Sequence, residues 1–288
     1  MHTTVAGFLA LTCAFTLTAC QLVRVADLRP ETQLPVRFLI TFDDGPSAAR
    51  GNNSSALILD TLARNRWQND IKAIFFVQTR HRNGGGTVHG GQLMQRMLGD
   101  GHILGLHTSS SRGHINHTRM PLSELESDLK VGIEDIRELS GDAPHFIRPP
   151  FWSFNADTLS LYEAHGLSML LDDISLGDGK ARGVTSNPNV RERMRVDLRK
   201  AARRIRQGSI PALGGYIPLV ITMHDTNPTT ARDLENYLGM LIEEAHYAGL
   251  VVHLQPFVSP GEELTQVANL RAHRSQLART LVPMVALE

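Results

Sequence analysis

Short apolar runs alternate along this chain with segments whose apolar residues recur at helical spacing. Val36 to Phe42 reads as a buried strand, and Ser54 to Arg64 as a helix. Ala73 to Val77 predicts a second buried strand, and Gln92 to Leu98 a short helix ended by Gly101. Ile103 to Leu106 predicts a third strand. Ser123 to Glu126 reads as a capping box, opening a helix that runs to Leu139. His145 to Arg148 is strand-like until Pro149 and Pro150 break it. Ala156 to Ala164 predicts a helix, and Leu167 to Leu171 and Leu219 to Met223 predict strands. Ala231 to Tyr247 is a long helix, and Leu250 to Leu254 is the last strand. Continuous apolar strands joined by helices imply a parallel sheet covered on both faces. The class is α/β, and roughly seven such units favour a distorted (β/α) barrel of parallel strands over an open sheet.

Composition changes this picture little. The chain has 288 residues, 42% hydrophobic and 20% charged, so a single large domain has ample core material. Basic and acidic residues number 29 each, which gives no sign of a nucleic-acid partner. No glycine-rich phosphate loop follows the first strand, which argues against nucleotide binding. The basic run Arg191 to Arg206 reads as a solvated amphipathic helix. Its 8 cations against 2 acids also suit an acidic polymer or a membrane surface.

The N-terminus reads as targeting rather than fold. Val5 to Ala19 is apolar and too short for a comfortable span. It ends in Leu17, Thr18, Ala19 and Cys20, which resembles a bacterial lipobox. That resemblance implies a signal peptide over residues 1–19 and lipidation of Cys20. A tether over residues 20–35, a catalytic domain over 36–258 and a helical extension over 259–288, packed outside the barrel, complete the expected organisation. The implied location is the cell envelope, on a bacterial membrane facing the periplasm. Gln21 after the lipidated Cys leans toward the outer membrane.

Chemistry-bearing residues collect where the strands end. Asp43 and Asp44 close the first strand, before Gly45 and Pro46 turn the chain. A strand end beside such a turn can break the alternation of faces, so one carboxylate can bind a metal while its neighbour moves a proton. His107, His114 and His117 follow the third strand within eleven residues. A catalytic zinc takes about three ligands from His and carboxylate and keeps one position open. Arg148, Asp172, Asp173 and His224 mark the ends of later strands.

In order, these segments resemble the polysaccharide deacetylases, the carbohydrate esterase family 4 enzymes, over about residues 36–256. Thr41 to Gly45 resembles their first motif, which implies Asp43 as catalytic base and Asp44 as metal ligand. His107 and Thr108 open the second, which implies two His ligands. Its usual second His would fall at Ser111, so the loop carries an insertion. His114 is preferred, because seven residues is two helical turns, and His117 and Ser111 stay open. Arg148 to Phe151 resembles the third motif. Arg148 would orient Asp43, and the Phe151 backbone would contribute to the oxyanion site. Trp152 stands where the family has Gly, and with Phe151 it would stack on sugar rings. Leu171 to Ser175 resembles a degenerate fourth motif without its Trp. Asp173 is the expected partner of His224, with Asp172 and Asp178 open. Ile221 to Asp225 resembles the fifth, which implies His224 as catalytic acid.

The resemblance implies a metal-dependent hydrolase that removes N-acetyl groups from an N-acetylated polysaccharide or peptidoglycan and releases acetate. Zinc, cobalt and nickel all suit two His and one Asp. Two other readings keep the fold. One is an O-acetyl esterase or other amide hydrolase, and the other a lipid-anchored glycan-binding protein that has lost catalysis.

Overall fold

The computed structural model describes residues 33–180, 189–259 and 261–273. The expected signal segment, Cys20, most of the tether and residues 274–288 lie outside them. Among the described residues, no helix is long and apolar enough to cross a membrane.

Among the described residues, eight strands form one parallel sheet. They are β1 (Val36–Asp43), β2 (Ala73–Gln78), β3 (Ile103–Thr108), β4 (Phe146–Ile147), β5 (Ser168–Met169), β6 (Ile174–Ser175), β7 (Ile217–His224) and β8 (Val252–Phe257). Their order is β5-β4-β3-β2-β1-β7-β6, and β8 pairs with the start of β1. Residues 170–173 carry the chain from β5 at one edge to β6 at the other. The sheet is therefore a curled half-barrel with an unpaired seam among the described residues, not a closed ring.

The helices α1 (Ser54–Ala63), α2 (Val88–Gly99), α3 (Leu122–Ser140), α4 (Ala156–Ala164), α5 (Val190–Arg206) and α6 (Pro228–Tyr247) follow their strands. Phe38, Ile40 and Phe42 of β1 point outward into the layer shared with α1 and α6. Leu39 points inward, into a second cluster with Ile74, Phe76, Phe146 and Val220. Each strand thus has an outward and an inward row, as a period of two requires. Toward the strand ends the inward rows turn polar: Thr41 then Asp43 on β1, Phe76 then Gln78 on β2, Thr222 then His224 on β7. Gly105 of β3 lies in the same layer. A Cβ there would sit 2.6 Å from the Phe76 ring, so only glycine leaves that ring its place.

Three expectations are corrected. The Ser123 capping box does not form. Helix α3 begins at Leu122 after Pro121, with no side-chain cap, because Pro121 already sets the entry angle and places Ser123 inside the first turn. The C-terminal helix α7 (Gly261–Arg271) does not pack outside the barrel. Its Leu264, Val267 and Ala268 are fully buried in the inner cluster. The basic run forms α5, but its cations are not all solvated. Arg191 and Arg195 both bind the buried carboxylate of Glu244 on α6.

Candidate active site and metal centre

The inward rows converge at the C-terminal ends of the strands. Asp43 completes the β1 row. Its neighbour Asp44 would face away in an extended strand, but it takes a left-handed backbone with φ 72°. That conformation is uncommon outside glycine, and Asp is among the residues that tolerate it. Both carboxylates therefore enter one cleft.

Asp44 Oδ1 lies 3.3 Å from His107 Nε2 and 3.6 Å from His114 Nε2. Four ligands at about 2.1 Å around a tetrahedral ion are separated by about 3.4 Å, so these atoms suit a zinc-like ion. The donor chemistry agrees. His107 Nδ1 lies 2.6 Å from the Arg148 carbonyl, which can only accept, so the proton sits on Nδ1. Nε2 then offers its lone pair, and it is buried with no hydrogen-bond partner. A carbonyl that fixes the tautomer in this way is the usual support of a ligating His. Burial pushes the Asp44 carboxyl up, but the charged forms of His107, then His114 and His224, outweigh it and hold the group well below the carboxylate range when no metal keeps the imidazoles neutral.

His114, not His117, completes the triad. The two-turn argument for His114 does not describe how it gets there, since residues 109–116 contain no helix. Gly113 instead turns the chain with φ 81°, and the His114 ring stacks on Phe151 at 4.2 Å. His117 is fully buried behind the site, its Nδ1 2.7 Å from the Tyr162 hydroxyl. Burial pushes its imidazole down to about 3. Ser111 is exposed on this loop, and its carbonyl accepts from the Arg82 N–H.

Arg148 is fully buried. Its Nη1 donates to Asp43 Oδ1 at 2.8 Å and to Thr41 Oγ1 at 2.7 Å, and its Nε donates to the Leu170 carbonyl. The guanidinium spreads over Phe76, 4.3 Å from the ring centre. Asp43 is thus held by a rigid cation from the far side of the barrel.

The partner of His224 is Asp178, not Asp173. Asp178 Oδ1 accepts from His224 Nδ1 at 2.8 Å, and Oδ2 accepts from the His224 backbone N–H at 2.9 Å. Asp173 is level with Val220, whose N–H it accepts at 2.9 Å. His224 lies four residues further along β7, about 13 Å at strand rise, beyond the reach of an Asp side chain. Asp173 instead joins Arg204 of α5 and Arg271 of α7 across the seam. Asp172 does not reach His224 either. It is largely buried, and burial raises its carboxyl. Burial pushes the His224 imidazole down, but Asp178, then Asp43 and Asp44, outweigh it and raise it to about 9. Gly179 lies against the ring: a Cβ there would sit 2.7 Å from His224 Nε2.

Phe151 and Trp152 form the rim. Both have positive φ, 62° and 54°, a strain of about 1–3 kcal/mol each for non-glycine residues. That turn leaves Phe151 54% exposed and sends Trp152 inward, edge-on to His224 at 6.5 Å. One contributor escaped the sequence reading: Gln78, which donates to Asp44 Oδ1 at 2.8 Å. The inward alternation Ile74, Phe76, Gln78 was its signal.

Comparison with known proteins gives sequence and fold similarities. The family model described as polysaccharide deacetylase matches residues 33–170. The peptidoglycan-N-acetylglucosamine deacetylase PgdA of Listeria monocytogenes serotype 1/2a is 25% identical over 217 residues, 75% of this chain and 38% of that protein. The chitin deacetylase of Pestalotiopsis sp is 29% identical over 145 residues, 50% of this chain and 44% of that protein. The chain thus spans less than half the length of these relatives. The structure of the chitin deacetylase from the fungal pathogen Colletotrichum lindemuthianum superposes with a TM-score of 0.55 at 22% identity, over 76% of this chain and 85% of that one. That likeness concerns the fold. Residues 33–170, which hold Asp43, Asp44, His107, His114 and Arg148, are the part of the chain that matches the polysaccharide deacetylase model.

Proposed function

We propose that this chain is a metal-dependent hydrolase that removes N-acetyl groups from an N-acetylhexosamine glycan outside the cytoplasm and releases acetate. One observation carries the reading. The Asp44, His107 and His114 triad has a held carboxylate, Asp43, on one side and a charged imidazole, His224, on the other. A glycan-binding protein has no use for all three together.

Asp44, His107 and His114 would hold the metal. When bound, a divalent ion there lowers the pKa of water and polarises an acyl oxygen. Asp43 takes the proton of the attacking water as general base, with Arg148 fixing its carboxylate. The Phe151 N–H supports the oxyanion. His224, whose imidazole Asp178 raises, gives its proton to the leaving amine, and Asp178 keeps the ring aimed. Phe151 and Trp152 face the sugar. Zinc suits the donor set, and cobalt and nickel suit it too. The substrate reading draws on the names of the relatives, a peptidoglycan deacetylase and a chitin deacetylase.

The envelope location rests on residues 5–20, with Cys20 as the lipidated residue and no role for nucleic acid. Metabolic labelling with a fatty-acid analogue tests it, and label retained after Cys20→Ala sinks it. The activity is tested by acetate release from N-acetylglucosamine oligomers and peptidoglycan fragments, with zinc-loaded protein and Asp43→Asn as control. Acetate from the parent and none from the control is expected. No acetate from either, with zinc bound, refutes the assignment.

A further inference from the structure

Strand order creates a problem for the metal triad. Asp44 follows β1 and His107 ends β3, and β2 lies between them. Neighbouring strands are about 4.8 Å apart, so the two ligand-bearing strands stand about 10 Å apart across β2. Their side chains must meet over the end of β2. The last inward residue of β2 is Gln78, 4% exposed. The register of β2 on β3 shifts between Val77 and Gln78, with the extra residue, His107, on the β3 side.

The amide there touches both sides. Its Nε2 donates to Asp44 Oδ1 at 2.8 Å, the same oxygen that faces both imidazoles. An ionised carboxylate can only accept, so the amide must point its nitrogen at Asp44. The other end, Oε1, lies against Gly113, 2.7 Å from where a Cβ would be. Gly113 is the left-handed residue that aims His114. The backbone binds the same two neighbours. Gln78 N donates to the Gly45 carbonyl at 2.8 Å, and Thr79 N donates to the Thr108 carbonyl at 3.1 Å.

We infer that Gln78 is a positioning residue of the metal site, which fixes the Asp44 carboxylate against His107 and His114 by one amide hydrogen bond. A carboxylate oxygen has two lone-pair directions. Gln78 occupies one and leaves the other for the ion. An apolar residue at this place would bury Asp44 without that restraint, and the carboxylate would rotate away from the imidazoles. The inference rests on the metal-site reading above and adds a residue outside the triad to it.

Zinc affinity of the full chain, measured by competition with a chelating dye, tests it. Gln78→Met keeps the volume and removes the donor. Gln78→Asn keeps the donor but stands one methylene short. Loss of a support to a ligand costs about 10- to 100-fold in metal affinity, the range expected for Gln78→Met, with Gln78→Asn between it and the parent. The melting temperature of the zinc-free protein should stay at the parental value, which a purely structural role would not allow. If both variants bind zinc within about threefold of the parent, the inference is overturned. The same holds if the affinity loss comes with an equal loss of zinc-free stability in both variants. Affinity is read without any glycan, so a parent that binds zinc but releases no acetate refutes the deacetylase and spares Gln78. A parent that binds no zinc overturns both.

Discussion

Asp178→Asn removes the charge that raises the His224 imidazole and leaves the side-chain volume nearly unchanged. Asp178 accepts from the His224 ring and backbone and from the Thr230 hydroxyl at 2.6 Å, all out of solvent. With it, the imidazole is raised to about 9 from an ordinary 6.5. The difference, about 2.5 units, corresponds to about 3 kcal/mol between the two protonation states. Without it, burial still pushes the ring down, and Asp43 and Asp44 remain to push it up. The imidazole should return to near its ordinary value. In the metal-free protein at pH 7.5 the imidazolium fraction then falls from nearly all of the protein to about a tenth. General-acid catalysis is worth about 10²- to 10⁴-fold, so acetate release at that pH should drop by at least about 10-fold. The alkaline limb of the rate profile should move to lower pH by about 2 units. A cation at Asp44 lowers both proteins' values, so the His224 titration is best followed by NMR in chelated protein.

Stability carries the same sign. The folded value lies above the unfolded one, so the contribution of the His224 imidazolium is complete below about 6.5 and fades as pH rises through about 9. The parent's stability advantage over Asp178→Asn should therefore be largest in acid and shrink across that window. An alkaline limb that stays where it is in Asp178→Asn would refute the assignment of Asp178.

Asp43→Asn should cut acetate release by about 10²- to 10⁴-fold and leave zinc affinity intact, since Asp43 is outside the triad; zinc lost with activity counts against its role as base. His114→Ala should abolish tight zinc binding. His117→Ala should keep zinc but lose about 2–4 kcal/mol in urea unfolding, because it empties a buried site and strands Tyr162. The opposite pattern would give the ligand role to His117. Gly179→Ala puts a methyl where His224 Nε2 lies 2.7 Å away. The ring must shift, and kcat should fall while zinc affinity holds; an unchanged kcat would mean that loop 178–180 yields freely.

The half-barrel and most of its site were legible because a strand has a period of two. Apart from Arg37, apolar residues fill both rows of β1 until Thr41, and the first acidic residues in the inward direction are the functional ones. His107, Arg148 and His224 obey the same rule on their strands. What could not be read depends on contacts between elements distant in sequence. Asp173 sits in the segment that resembles the fourth motif, and Asp178 five residues later. Register decides between them, since β6 pairs Ile174 with Ile221 and leaves Asp173 level with Val220. Nothing local in the sequence states that pairing. The same holds for α7, whose apolar residues suit an outer layer and an inner plug equally well until the sheet's curl is known.

The seven-residue spacing from His107 to His114 leaves the candidate triad's atoms close together. Ligand position there does not come from a continuous helix or strand, so the number of intervening residues is free within limits. It comes from the two ends. His107 is fixed by β3 and by the Arg148 carbonyl. His114 is fixed by the turn at Gly113 and by the Phe151 face, whose own backbone is held in a strained conformation. The three residues from Ser109 to Ser111 are tied down apart from the site: Ser109 to Asp128, and the Ser111 carbonyl to Arg82 N–H. An insertion there lengthens the path between two fixed points without moving either. Altered His spacing is thus poor evidence for a lost metal site in this chain, and the position of Gly113 is better evidence for a retained one.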